Sequence, residues 1–136
     1  QYTGVDIVQE LIEKNQKQFP DKKFLSLDLS RDTLPLADLI FCRDCLVHLP
    51  FEEGVRVLKN IRRAGIKFLL TTTYAGLTEQ DDIFVGQWRK INLTLDPYGL
   101  SEPLELLQDN SLHDEEVNQT DKKLGLWEVE SMFKTL

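Results

Sequence analysis

The residues with the greatest chemical reach in this chain lie between Asp6 and His48. Asp6 and Asp28 each stand at the end of a short strand-forming run, Cys42 and Cys45 make a Cys-x-x-Cys pair, and Asp44 and His48 lie close by. An aspartate that closes a strand is ordinarily a turn former or a helix cap, and both acids carry that reading. The cysteine pair suits a thiol–disulfide centre, half of a zinc site, or two buried thiols. These are the only two cysteines, so a four-cysteine zinc site is excluded, and His48 and His113 do not have finger spacing. No metal is expected, and two buried thiols is the preferred reading. A neutral imidazole can take a proton from a hydroxyl or amine, which makes His48 a catalytic candidate, with Asp44 as the alternative. His48 serves equally well as a core histidine.

These side chains need strands that end where they stand. The run 3–7 (TGVDI) is short and β-branched, and Val8, Leu11, Ile12, Asn15 and Phe19 follow at helical spacing until Pro20 and Asp21. The run 24–28 (FLSLD) alternates as a second strand, and 31–35 is a polar connection. The run 37–42 (ADLIFC) is apolar on both faces, which predicts a central strand covered by helices on both sides. Phe51, Val55, Leu58 and Ile61 mark a second helix, with Glu52 and Glu53 in its first turn, Arg62 and Arg63 in its last, and Gly65 to end it. The run 66–73 (IKFLLTTT) is a fourth strand. Strands alternating with helices predict an α/β, doubly wound, mostly parallel sheet built by right-handed crossovers.

Residues 76–103 hold turn formers, two prolines and no helical period, which predicts an irregular segment or lid. Tyr74, Trp88 and Tyr98 lie on or near it, placed either to shape a pocket or simply to pack. The runs 104–107 (LELL) and 124–129 (LGLWEV) predict a late hairpin around the acidic stretch 109–121.

At 136 residues the chain suits one domain, and its 41% hydrophobic and 29% charged composition is that of a globular protein. No apolar run approaches the roughly 20 residues of a membrane helix, and no leader-like segment opens the sequence, so a cytoplasmic location is the expectation. The net charge of −7 opposes binding to a phosphate backbone, and Arg62, Arg63 and Lys67 form only a local basic cluster. The expected partner is a small molecule, with no nucleic acid and no membrane.

The order of the elements resembles that of the class I S-adenosylmethionine-dependent methyltransferases, over about residues 2–127. The most specific stretch is 37–49 (ADLIFCRDCLVHL), which is similar to the family's fourth strand and the leucine-any-histidine-leucine segment after it. Asp6 stands as the acid that ends the family's second strand, and Asp28 as its adenine-side acid. The resemblance implies S-adenosylmethionine as cofactor. It also implies Asp6, with Ile7 beside it, as the ribose clamp, Asp28 or the amide of Leu29 at the adenine edge, and the backbone of Cys42 and Arg43 along the methionine part. Acids belong there chemically: ligands of open α/β sheets lie at the carboxyl ends of the strands, and a carboxylate there accepts both ribose hydroxyl hydrogens.

The family opens with a strand and a glycine-rich turn, but the seven glycines here are too dispersed to supply Gly-x-Gly. The expectation is a single domain, residues 1–136, entered at the family's second strand and N-terminally incomplete. A gap should then separate the strands of Asp6 and Asp38. Three functions follow. The first is methyl transfer to a small-molecule acceptor. The second is a non-catalytic, methyltransferase-like binding or assembly module with an exposed sheet edge. The third is a nicotinamide-dependent enzyme, since an acid closing the second strand also suits that ribose; residues 42–49 argue against it.

Overall fold

The computed structural model describes residues 1–110 and 121–134. In chain order these form β1 (Thr3–Asp6), α1 (Gln9–Gln18), β2 (Lys23–Ser26), β3 (Leu39–Cys42), α2 (Phe51–Arg63), β4 (Phe68–Tyr74), β5 (Glu105–Gln108) and β6 (Lys122–Glu128). A single 3-10 turn, Leu46–His48, precedes α2, and another, Val129–Ser131, follows β6. The strands make two ladders: β1 pairs with β2 in parallel, and a second sheet runs β3-β4-β6-β5. Within the second sheet β3 and β4 are parallel and the late hairpin β5–β6 is antiparallel, with β6 lying against β4 over its full length. The βα units and the late hairpin are those the sequence predicts. Residues 111–120 of the expected hairpin loop lie outside the described residues.

Two expectations need correction. The run 37–42 is not a central strand, because β3 is the edge of its sheet and β1, its neighbour across the cavity described below, pairs only with β2 among the described residues. Its alternation shows the consequence: Cys42 is buried, while Leu39 and Phe41 on the other face are 47% and 56% exposed. Continuous apolarity reports that a strand is meant to be covered, not what covers it. The interval between β1 and β3 is where the resemblance puts the family's first strand. The second correction concerns β2, which ends at Ser26 and leaves Asp28 two residues beyond it. There the Asp28 carbonyl accepts the amides of Arg31 and Asp32, at 3.2 and 2.9 Å, and the chain turns instead of continuing the ladder.

The core lies on the four-stranded sheet. α2 buries Gly54, Val57, Leu58, Asn60 and Ile61, and its apolar members share one cluster with Leu69, Tyr74, Trp127 and Met132. Each large apolar side chain withdrawn from water contributes roughly 1.5–3 kcal/mol. Charge placement assists, with Glu52 and Glu53 at the positive end of the helix and Arg62 and Arg63 at the negative end. Gly65, at φ +73°, makes the left-handed turn out of α2 that a residue with a Cβ resists. Gly125 of β6 is required for a different reason: a Cβ there would lie 2.4 Å from the Trp127 ring, which folds over it while the indole N–H donates to the Ser101 carbonyl at 2.8 Å. α1 is much less well anchored, since Ile12 is its only buried residue.

Candidate functional site

The carboxyl ends of β1, β2 and β3 open on a cavity of ≈ 340 Å³, within the size range of small-molecule sites. All six residues assigned to the cofactor side from sequence line it: Asp6, Ile7, Asp28, Leu29, Cys42 and Arg43. Cys45, Leu49, Glu53 and Val57 complete the wall near α2. The two catalytic candidates, Asp44 and His48, are not among the lining residues. A separate hollow of ≈ 380 Å³ is lined by Lys59, Arg62, Arg63 and Phe133 and has no carboxylate, thiol or imidazole in its wall.

The two acids are held differently. One Asp6 oxygen accepts the Val8 amide at 2.9 Å, which sets the carboxylate at the mouth of the β1–α1 turn. Asp28 is committed on both oxygens. Oδ1 accepts the amide and hydroxyl of Ser30 at 2.9 and 2.6 Å, and Oδ2 pairs with Arg31 at 3.0 Å. The Ser30 hydrogen bonds, with Arg31 assisting, hold this carboxyl below the usual carboxylate range. The loop after β2 is pinned from below by Asn60, a buried amide whose Nδ2 donates to the carbonyls of Leu29 and Asp32 at 2.9 and 2.8 Å. Asn60 was missed from sequence. A polar residue on the buried face of α2, three positions after Val57, is the signal that marks it.

The turn after β3 is built by buried threonines of β4, also unnoticed in the sequence. Thr71 donates its hydroxyl to the Cys42 carbonyl at 2.7 Å, and the Thr72 hydroxyl accepts the Asp44 amide at 2.8 Å. Asp44 sits at φ +52°, a left-handed conformation that a non-glycine residue keeps only where its surroundings impose it. Its carboxylate meets Arg43 at 3.3 Å and Lys122 at 3.1 Å, and Asp109 lies 3.1 Å from Arg43 and 3.7 Å from Lys122. This group of alternating charge ties the β3 turn to the β5–β6 hairpin. Cys42 is buried, but Cys45 is only half-buried, so the expectation of two buried thiols holds for one of them. Among the described residues no group of three or more histidine, cysteine or acidic side chains is placed to hold a metal ion.

His48 is exposed, and its Nδ1 lies 3.2 Å from the Gln87 carbonyl. That contact belongs to a broader attachment of the irregular segment to the 3-10 turn. Arg89 donates to the carbonyls of Leu46 and Val47 at 3.2 and 3.1 Å and stands 4.8 Å over the Phe51 ring. Asp82 accepts the Phe51 amide at 2.8 Å, capping α2 from a distant part of the chain. Among the aromatics named from sequence, Tyr74 and Tyr98 are core residues. Burial raises the Tyr98 phenol above its ordinary value. Trp88 is exposed at 47% and packs edge-on to Tyr74 at 6.3 Å.

No protein-family model and no curated protein matches the sequence. Solved structures do match in fold. Magnesium protoporphyrin IX methyltransferase from Synechocystis PCC 6803, with bound SAM, aligns over 91% of this chain and 57% of its own, at 14% identity and TM-score 0.61. Human N-acetylserotonin methyltransferase, in complex with SAM, aligns over 93% and 39%, at 17% identity and TM-score 0.62. CalO1, a methyltransferase in calicheamicin biosynthesis in its SAH-bound form, aligns over 91% and 40%, at 19% identity and TM-score 0.60. The chain therefore has a class I SAM-dependent methyltransferase-like, Rossmann-like fold, and it spans 39–57% of the length of these three proteins. Among the described residues no helix is long and apolar enough to cross a membrane.

Proposed function

We propose that this protein is an S-adenosylmethionine-dependent methyltransferase acting on a small-molecule acceptor. One observation carries the reading: six residues chosen from three separate stretches of sequence converge on one cavity at the carboxyl ends of the strands, in a fold whose solved relatives hold SAM or SAH.

The lining fits the cofactor. Asp6 binds the ribose hydroxyls through the oxygen that the Val8 amide leaves open. Since Ser30 and Arg31 engage both oxygens of Asp28, the adenine edge falls to the Leu29 amide, with Leu27 and Val57 as apolar walls. Cys42 and Arg43 border the methionine part. The cofactor supplies a methyl group already activated on a sulfonium, so the protein's task is alignment and exclusion of water. Neither His48 nor Asp44 is required by this reading. Asp44 acts through the β3 turn, which its bonds to Thr72, Arg43 and Lys122 hold.

Calorimetric titration of the full-length protein with SAH tests it. Binding is expected, weakened about 10- to 100-fold in Asp6→Ala, which is the loss of a hydrogen bond to a charged group worth about 1.5–3 kcal/mol. Titrations of the two proteins that superimpose would remove Asp6 from the site, and absence of heat in both would reject the cofactor. The second reading, a non-catalytic binding or assembly module, is favoured by the exposed Leu39 and Phe41 on an unpaired edge. It predicts association in sizing experiments without SAH binding.

A further inference from the structure

We propose that Cys42 and Cys45 form a redox-active dithiol that closes to a disulfide by exchange with a small-molecule disulfide. The methyl-transfer chemistry uses neither sulfur, and the proposal does not depend on that reading. Four observations support it. The two cysteines are separated by two residues at the end of a strand, the spacing at which one turn brings two thiols together. The left-handed Asp44 lies between them, and the two sulfurs stand near enough for each to influence the other's ionisation. Both residues line the cavity, and the half-buried Cys45 is the one a reagent reaches there. Finally, their environments differ in the sense that exchange needs, Cys42 being buried and Cys45 half-buried.

That difference assigns the roles. The neighbouring Cys42 thiol lowers the Cys45 thiol below its ordinary value, outweighing burial and the nearby Asp6 carboxylate, which raise it. The same mutual influence, together with burial, pushes Cys42 well above its ordinary value. Cys45, the more acidic and more open thiol, is the nucleophile. Its thiolate attacks one sulfur of the small disulfide, forming a mixed disulfide and releasing one thiolate, which takes up a proton. Cys42 then loses its proton and attacks the Cys45 sulfur, expelling the second thiolate, which is also protonated. The protein dithiol is oxidised by two electrons, and one small disulfide is reduced to two thiols.

The test uses the full-length protein in glutathione buffers of graded oxidised-to-reduced ratio, followed by acid quench, alkylation and intact-mass measurement. Because the chain has no other cysteine, the mass assigns the product directly. The expected result is concerted protection of both thiols with the loss of two hydrogen atoms. In Cys42→Ser, Cys45 should accumulate a glutathione adduct faster than Cys42 does in Cys45→Ser, because Cys45 is the more open of the two. Full alkylation of the unsubstituted protein at the most oxidising ratio would overturn the proposal without reference to either variant. So would equal adduct rates at the two cysteines.

Discussion

The β1–α1–β2 unit and the β3–β6 sheet with α2 are built from similar alternations of strand and helix, yet they are held in different ways. α2 contributes five residues to the buried core and α1 contributes one, Ile12. Leu11 of α1 and Phe19 just after it stay 41% and 45% exposed. Stability is therefore concentrated on the four-stranded sheet, while Asp6 and Asp28 project from the more weakly anchored unit. At the cavity the halves are joined by Asn60, which reaches from α2 to the loop after β2, and by Leu27 and Leu29, which pack against the core. The lesson is that two βα units of similar pattern need not share equally in the core, and that the side carrying the candidate ligand-binding acids is the less buried one.

The contrast can be broken at four points. Leu58→Ala, deep in the α2 core, should destabilise the protein by about 2–5 kcal/mol in chemical denaturation. Asn60→Ala strips the donor from two carbonyls and should cost about 1–3 kcal/mol, with faster hydrogen exchange confined to the loop after β2. A smaller effect is expected at Asp28, whose carboxyl is held low by Ser30. Because its folded value is depressed, its contribution is complete above the unfolded value of about 3.9 and is lost as pH falls through the folded value. Denaturation midpoints should therefore drop less steeply below about pH 4 in Asp28→Asn than in the parent protein. Leu11→Ala on α1 should stay within about 0.5 kcal/mol, and a loss as large as that of Leu58→Ala would erase the distinction between the two units.

How much of this could be read from the residues depends on the range of the interaction. Local signals were clear: Glu52, Glu53, Arg62, Arg63 and Gly65 bounded α2 because dipole and left-handed turn act within a few residues. The hairpin followed from two β-forming runs. The family resemblance groups Asp6, Asp28 and Cys42, and strand ends in an open α/β sheet share one edge, which is why such a group can form. The open edge of β3 is not in its apolar pattern, which carries no information about which strand lies alongside. It follows only from the resemblance, whose absent first strand implies a gap between the strands of Asp6 and Asp38. Pro50 precedes α2 without a side-chain cap, so nothing local points to Asp82, which supplies one from 31 residues away. The threonines of β4 read as ordinary β-formers, and only the assembled sheet shows that Thr71 and Thr72 fix the β3 turn.

The attachment made by Arg89 bears on how residues 76–103 could be exchanged in this scaffold. Residues 76–103 contain the buried Ile91, Leu93, Tyr98 and Leu100, and Arg89 fastens them to the carbonyls of Leu46 and Val47. A graft that replaced this segment alone would remove part of the domain's interior along with its surface. Exchanging the segment would therefore mean moving residues 46–51 and 76–103 together, as one cassette.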